Sequence, residues 1–183
     1  MQRSRPGKRP TRKGLVRTVA GSPLAQRGGE AASAGKGGGH NVAMTKRIAG
    51  HVLVECLIAQ GVTHAFGVPG ESYLAVLDGF HQHRDRISFV ICRHEGGAAF
   101  MAEAHGKLTR RPGVCFVTRG PGATNASIGV HTASQDSTPM VLFVGDVASD
   151  QRDREAFQEV DYGAFFGAFG MAKLVERIDS VER

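Results

Sequence analysis

The sequence predicts an α/β fold, an open parallel sheet with helices on both faces. Three observations lead there. Short runs such as "ISFVICRH", "GVCFVTR" and "PMVLFVGDV" are apolar almost continuously rather than at alternate positions, as strands are when both faces of their sheet are covered. Segments of helical period separate these runs. Each run ends in a turn rich in Gly, Pro or polar residues, namely "GVPG", "RHEGG", "TRGPGATN" and the stretch after "VGDV". Right-handed crossovers bring such turns to one edge of the sheet, where open α/β sheets bind ligands.

Residues 1–43 precede this pattern and do not share it. They carry nine Lys or Arg against one Glu, so the chain's net charge of +6 resides in them and the remainder is slightly acidic. Rich in Gly, Arg and Pro and lacking a helical or strand period, they are expected to form a disordered basic extension. A nucleic-acid arm and a targeting peptide both suit basic residues, but aromatic interleaving is missing and serines are few, so a dispensable extension is preferred. The folded domain is expected over residues 44–183, opening at Met44.

Its elements follow in order. Apolar residues at helical spacing over 48–61 predict a helix stopped by Gly61. "THAFGV" (63–68) is a short strand that "GVPG" (67–70) breaks, and "SYLAVLDGFHQH" (72–83) is a second helix. The strand "ISFVICRH" (87–94) leads into a helix that opens at Glu95. "GVCFVTR" (113–119) is the next strand, "GPGATNASIGVHTASQ" (120–135) a loop and helix, and "PMVLFVGDV" (139–147) another buried strand. "RIDSVER" (177–183) reads as a helix.

Composition excludes several classes. No apolar run approaches the roughly 20 residues that cross a bilayer. Cys56, Cys92 and Cys115 lie far apart in apolar surroundings, which suits buried free thiols in a reducing cytoplasm better than a disulfide framework or a metal site. "GPGATN" invites a dinucleotide reading, but Asn125 stands where a third Gly is needed and Pro121 stiffens the middle. Only Asp146 is acidic in the following strand, so a tight turn into a helix explains those glycines better.

Five motifs in order, "FGVPGES", "RHEGGAAFMAEAHGKLTRRPGV", "VTRGPGATNAS", "QDSTPMVLFVGD" and "REAFQEVD", resemble the amino-terminal pyrimidine-binding domain of thiamine-diphosphate-dependent enzymes of the acetolactate synthase, pyruvate oxidase and benzoylformate decarboxylase group. The resemblance covers residues 46–175 and implies a three-layer, flavodoxin-like domain. It also implies a role for Glu95. In the resembled enzymes a glutamate hydrogen-bonds N1′ of the cofactor's aminopyrimidine and favours the imino tautomer that takes the C2 proton, and Glu95 matches it. Such a carboxyl needs a partly desolvated pocket, and Gly96, Gly97, Ala98 and Ala99 are small enough for a flat ring to approach the backbone. Without the resemblance, Glu95 reads as an acidic residue facing the positive end of a helix. His94 either touches the site or is satisfied by backbone groups.

Further roles are implied by the same likeness. Pro69 and Gly70 correspond to a loop lining the pyrimidine pocket. Thr118, Pro121 and Asn125 occupy the family's glycine-rich turn, where Asn125 bonds cofactor or a dimer partner, or caps its helix. Phe157 and Gln158 match a loop at the reacting end of the cofactor, with Gln158 orienting substrate as a second catalytic residue. Glu71 departs from the small residue common after "VPG" in acetolactate synthases, which leaves the particular substrate open.

These enzymes hold the diphosphate through magnesium in a separate domain marked by Gly-Asp-Gly and paired asparagines, and neither "VGDV" nor "LDGF" matches that signature. The chain offers no dedicated oxygen-ligand set of its own. The expectation is the pyrimidine-binding half of an acetolactate-synthase-like carboligase or decarboxylase acting on 2-oxo acids such as pyruvate, truncated or split. It would bind thiamine diphosphate, with magnesium supplied by a diphosphate-binding partner in a homo-oligomer or hetero-complex. FAD occurs in relatives but nothing here supports it. The alternative is a non-catalytic association or regulatory module.

Overall fold

The computed structural model describes residues 16–21, 46–168 and 170–180. Six strands, β1 (Val16–Gly21), β2 (His64–Gly67), β3 (Ser88–Ile91), β4 (Gly113–Val117), β5 (Met140–Gly145) and β6 (Leu174–Ile178), form one sheet in the order β3-β2-β4-β5-β1-β6. Every pairing is parallel. Four helices connect them: α1 (Ala49–Ala59), α2 (Leu74–Gln82), α3 (Glu95–Thr109) and α4 (Gly120–Asp136). The α/β class with a parallel, helix-covered sheet is as the sequence predicts.

The continuous apolar runs are explained by two cores, one on each face. All five residues of β4 are buried, and because successive strand side chains point to opposite faces they divide between the two. Cys115 and Val117, with Met140, Leu142 and Val144 of β5, meet Ala98, Ala99 and Ala102 of α3 and Ala126, Val130 and Ala133 of α4. Val114 and Phe116 face the other way, onto Val54 of α1 and Phe80 of α2. There Phe116 stacks on Phe143 with centroids 4.5 Å apart, and Phe80 meets Phe116 edge-on. The α3–α4 pair packs closely because its facing residues are small: a Cβ on Gly129 would lie 2.5 Å from that of Ala99. Ala98 and Ala99 are therefore fully buried helix-packing residues and do not open to a ring.

Several expectations are corrected. Within the extension expected to be disordered, residues 16–21 form β1, which pairs with β5 from Val16↔Met140 to Gly21↔Gly145 and with β6 from Arg17↔Leu174 to Gly21↔Ile178. Val16, Thr18 and Val19 are β-branched and suit a strand, but six residues in glycine-rich surroundings carry too little period to be noticed. Two neighbouring strands supply what the local pattern lacks. Residues 1–15 and 22–43, and the boundary at Met44, lie outside the described residues. Arg177 and Ile178, expected to begin a helix, end β6 instead, where parallel pairing to β1 overrides local preference. No loop precedes α4, which begins at Gly120 itself. Cys56 is exposed on α1, Cys92 is half-buried and only Cys115 is buried.

The order of strands locates the ligand edge. From β2 the chain steps outward to β3 and then returns past β2 to β4, so the direction of winding reverses between β2 and β4. Crevices at such reversals, beyond the carboxyl ends of the strands, are where open α/β sheets bind ligands. Among the described residues no helix is long and apolar enough to cross a membrane.

Candidate functional site

The turn after β2 and the turn after β4 form the walls of that crevice. Gly70, which ends "GVPG", packs so tightly on Thr118 that a Cβ there would lie 2.6 Å from the Thr118 Cβ. The hydroxyls of Ser72 and Thr118 hydrogen-bond at 2.9 Å, and the Tyr73 hydroxyl donates to the Val68 carbonyl. Burial pushes the Tyr73 hydroxyl's pKa far above its ordinary value, so it remains a neutral donor. The two turns are thereby joined into one rigid rim.

Glu95 enters from the third loop, as the first residue of α3. His94 caps that helix, its Nδ1 accepting the Gly96 N–H at 3.1 Å, so the backbone-satisfied reading of this histidine is the one observed. The Glu95 carboxylate is half-buried. Its Oε2 accepts from Nδ2 of Asn125 at 3.0 Å, while Oε1 takes no hydrogen bond from any described residue. A Cβ on Gly122 would lie 3.6 Å from that Oε1 and one on Gly96 would lie 3.3 Å from the Asn125 carbonyl, so glycine at both positions keeps backbone close to the carboxylate. Gly97, by contrast, has nothing within 4 Å of where its Cβ would be. It is the one small residue of the quartet that faces open space.

Gln158 arrives on the loop after the 3₁₀ turn Ser149–Gln151. Its carbonyl accepts the Gly120 N–H at 3.0 Å, which sets it beside the first turn of α4. The Glu159 carboxylate caps the loop from within, accepting from the backbone N–H of Asp153 at 2.7 Å and of Ala156 at 3.0 Å. Those two donors hold its pKa below the ordinary carboxylate value. Phe157 is exposed.

The first turn of α4 thus gathers Gly70 and Thr118 on one side, Glu95 and Asn125 on another, and Gln158 on a third. Two of the sequence-predicted residues stand apart. Pro69 is exposed and lines a separate apolar groove with Leu77, Phe80 and Phe89, between α2 and the edge strand β3. Pro121 occupies the first turn of α4, where its fixed φ and missing N–H favour helix initiation. Asn125 lies one turn inside α4 and caps nothing; its amide is committed to Glu95.

Sequence reasoning missed three groups. Arg119 ion-pairs with Glu71, and opposite charges at two turns expected on the same edge were the available signal. Glu159 was hidden inside a motif read for its Phe and Gln. Asp146, 4% exposed, accepts from the Val147 N–H and meets Arg177 of β6 at 3.3 Å. Burial raises its pKa above the ordinary carboxylate value.

A parallel α/β domain that presents a carboxylate where its strand order reverses has the architecture of a ligand-binding domain. Residues 47–165 match the family model described as thiamine pyrophosphate enzyme, N-terminal TPP binding domain, and the chain belongs to that family. It is 42% identical over 123 residues to the acetolactate synthase of Bacillus subtilis, covering 67% of this chain and 21% of the relative. It is 41% identical over 112 residues to the mitochondrial acetolactate synthase catalytic subunit of Saccharomyces cerevisiae, covering 61% and 16%. With the pyruvate oxidase of Lactiplantibacillus plantarum it shares 36% over 117 residues, covering 64% and 19%. The chain spans about a fifth of the length of the curated relatives it matches.

Proposed function

We propose that the chain supplies the pyrimidine side of the active site in an acetolactate-synthase-like carboligase or decarboxylase acting on 2-oxo acids, with Glu95 as its proton-handling residue. The observation that carries this reading is the asymmetric state of the Glu95 carboxylate, one oxygen held by Asn125 and the other free of described donors in the crevice. Glycine at 70, 96 and 122 lets the Thr118, His94 and Glu95 side chains pack closely, which supports a preorganised site.

Thiamine diphosphate, when bound, supplies a carbanion at C2 and then an electron sink. Oε1 of Glu95 would hold or give up a proton toward the ring nitrogen of a bound aminopyrimidine, and Asn125 would stop the carboxylate from turning away. Gly70 and Thr118 would be cofactor-binding residues on the rim they form together. Gln158 orients the 2-oxo acid by hydrogen bonding. The class of substrate follows the name of one relative, pyruvate oxidase, since pyruvate is a 2-oxo acid. The diphosphate and its magnesium are assigned to another domain or a partner subunit, as the separate diphosphate-binding domain of the resembled enzymes implies.

The test is a calorimetric titration with thiamine diphosphate and magnesium, of the chain alone and then mixed with a diphosphate-binding domain from a relative. Binding in the mixture only, followed by carbon dioxide release from pyruvate, is expected. Glu95→Gln should abolish release while leaving the unfolding temperature unchanged. Tight binding by the chain alone, or undiminished turnover in Glu95→Gln, would overturn the proposal; a mixture that associates but binds no cofactor would favour a non-catalytic module.

A further inference from the structure

The backbone around Gln158 is held in an unfavourable conformation by contacts from within its loop and from the start of α4. Gln158 has φ +63°, and Asp153 and Glu155 of the same loop have φ +58° and +53°. Non-glycine residues persist in the left-handed region where surrounding contacts over-determine them. Part of that determination is the capping of the loop by Glu159 and the Gly120 N–H on the Gln158 carbonyl. Arg119, immediately before α4, adds a contact to the neighbouring Phe157.

The Arg119 side chain is 12% exposed, although its contacts reach in from the surface. Its guanidinium donates to the carboxylate of Glu71, itself 68% exposed, and its central carbon lies 5.9 Å from the centroid of the Phe157 ring, which is 75% exposed. A planar guanidinium is suited to this double duty, since it donates in its plane and offers a charged face to an aromatic ring. Its Nε is buried and has no acceptor among the described residues. Two of its contacts reach neighbouring loops, one to the turn after β2 and one to the residue preceding Gln158.

We infer that Arg119 is a positioning residue, with Glu71 as its counter-ion, which clamps the Phe157–Gln158 turn against the start of α4 and so links the two loops that flank the cofactor crevice. The inference rests on the proposed function only for the meaning of that crevice; the clamp is a property of the chain by itself. It also gives Glu71 a purpose, since the residue that departs from a small side chain after "VPG" is the one that neutralises Arg119.

The full chain without cofactor is the material for the test. Amide protection of residues 153–160 is measured by hydrogen exchange in the wild type, Glu71→Gln, Arg119→Gln and the double variant, alongside protection in β4 and β5. Each single variant is expected to lower protection in 153–160 about tenfold, leave the central strands within twofold, and show no additivity in the double. The buried Arg119 Nε–H is expected to give a slowly exchanging resonance in the wild type and to lose it in Glu71→Gln. If Arg119→Gln proves too unstable to study, the surface substitution Glu71→Gln still decides the matter. Unchanged protection in Glu71→Gln, or full additivity in the double, would overturn the clamp. Because no cofactor is present, that outcome leaves the role of Glu95 standing, and failure of the Glu95→Gln test leaves the clamp standing.

Discussion

Asn125→Ala removes the one described donor to Oε2 of Glu95, a bond of 3.0 Å from a neutral amide to a carboxylate. Hydrogen bonds to charged groups contribute roughly 1.5–3 kcal/mol. Asn125 is exposed and Glu95 half-buried, so water competes for the bond and the lower end, about 1.5 kcal/mol, applies. At about 1.4 kcal/mol per factor of ten, losing the orientation of Glu95 should weaken cofactor engagement and turnover in the two-part mixture about tenfold. Global stability should suffer less, because water re-solvates the freed oxygen. For a chain of this size roughly 2–4 °C accompany each kcal/mol, so the unfolding temperature should fall by less than about 6 °C. Calorimetric titration, carbon dioxide release and differential scanning calorimetry on the same preparation give all three quantities. Binding and turnover within twofold of wild type would refute the assigned role of Asn125. A collapse of the fold would show instead that the bond is structural.

Three other perturbations separate structural from site effects. The pKa of Glu159 is depressed by the two N–H groups it accepts in the fold, so the stabilisation it gives the 153–160 loop is fully present above its ordinary value near 4.5 and is lost as pH falls through the lower folded value. Protection factors for that loop should fall on acidification in the wild type and be low at every pH in Glu159→Ala; a pH-independent wild type would contradict this. Deleting residues 1–43 removes β1, the only described sheet neighbour of β6, and should lower the unfolding temperature and promote association through the exposed edges. An unaltered melt and monodisperse elution would return the extension to dispensable status. Gly97→Ala should raise the unfolding temperature, since no atom lies near its Cβ and Gly costs about 0.5–1 kcal/mol against Ala inside a helix. Gly70→Val should lower it by several degrees through its clash with Thr118.

β2, β4, β5 and all four helices were legible because cover on both faces writes a continuous apolar run and packing on a sheet writes a 3.6-residue period; β3 was legible from its apolar run although it is an edge strand with Ser88 and Ile91 exposed. β1 and β6 were not. Each has five or six residues, and pairing along both sides of β1 supplies a stability that no local pattern announces. The site divides in the same way. Gly70, Glu95, Thr118, Asn125 and Gln158 were named through the resemblance of their motifs to a family, not from their residue types alone, and the structure brings them around the first turn of α4. Arg119 and Glu71 are 48 residues apart, and their pairing depends on β2 and β4 being neighbours.

The sequence by itself therefore determined the α/β class and the turns that follow its strands, because burial pattern and turn composition are local properties, and its motifs carried the resemblance that singles out Glu95. Only the tertiary structure decided which oxygen of Glu95 is held, which small residues line the crevice and which serve helix packing, and what restrains Gln158. Those outcomes depend on distances between loops that the strand order brings together, and no stretch of sequence contains a distance.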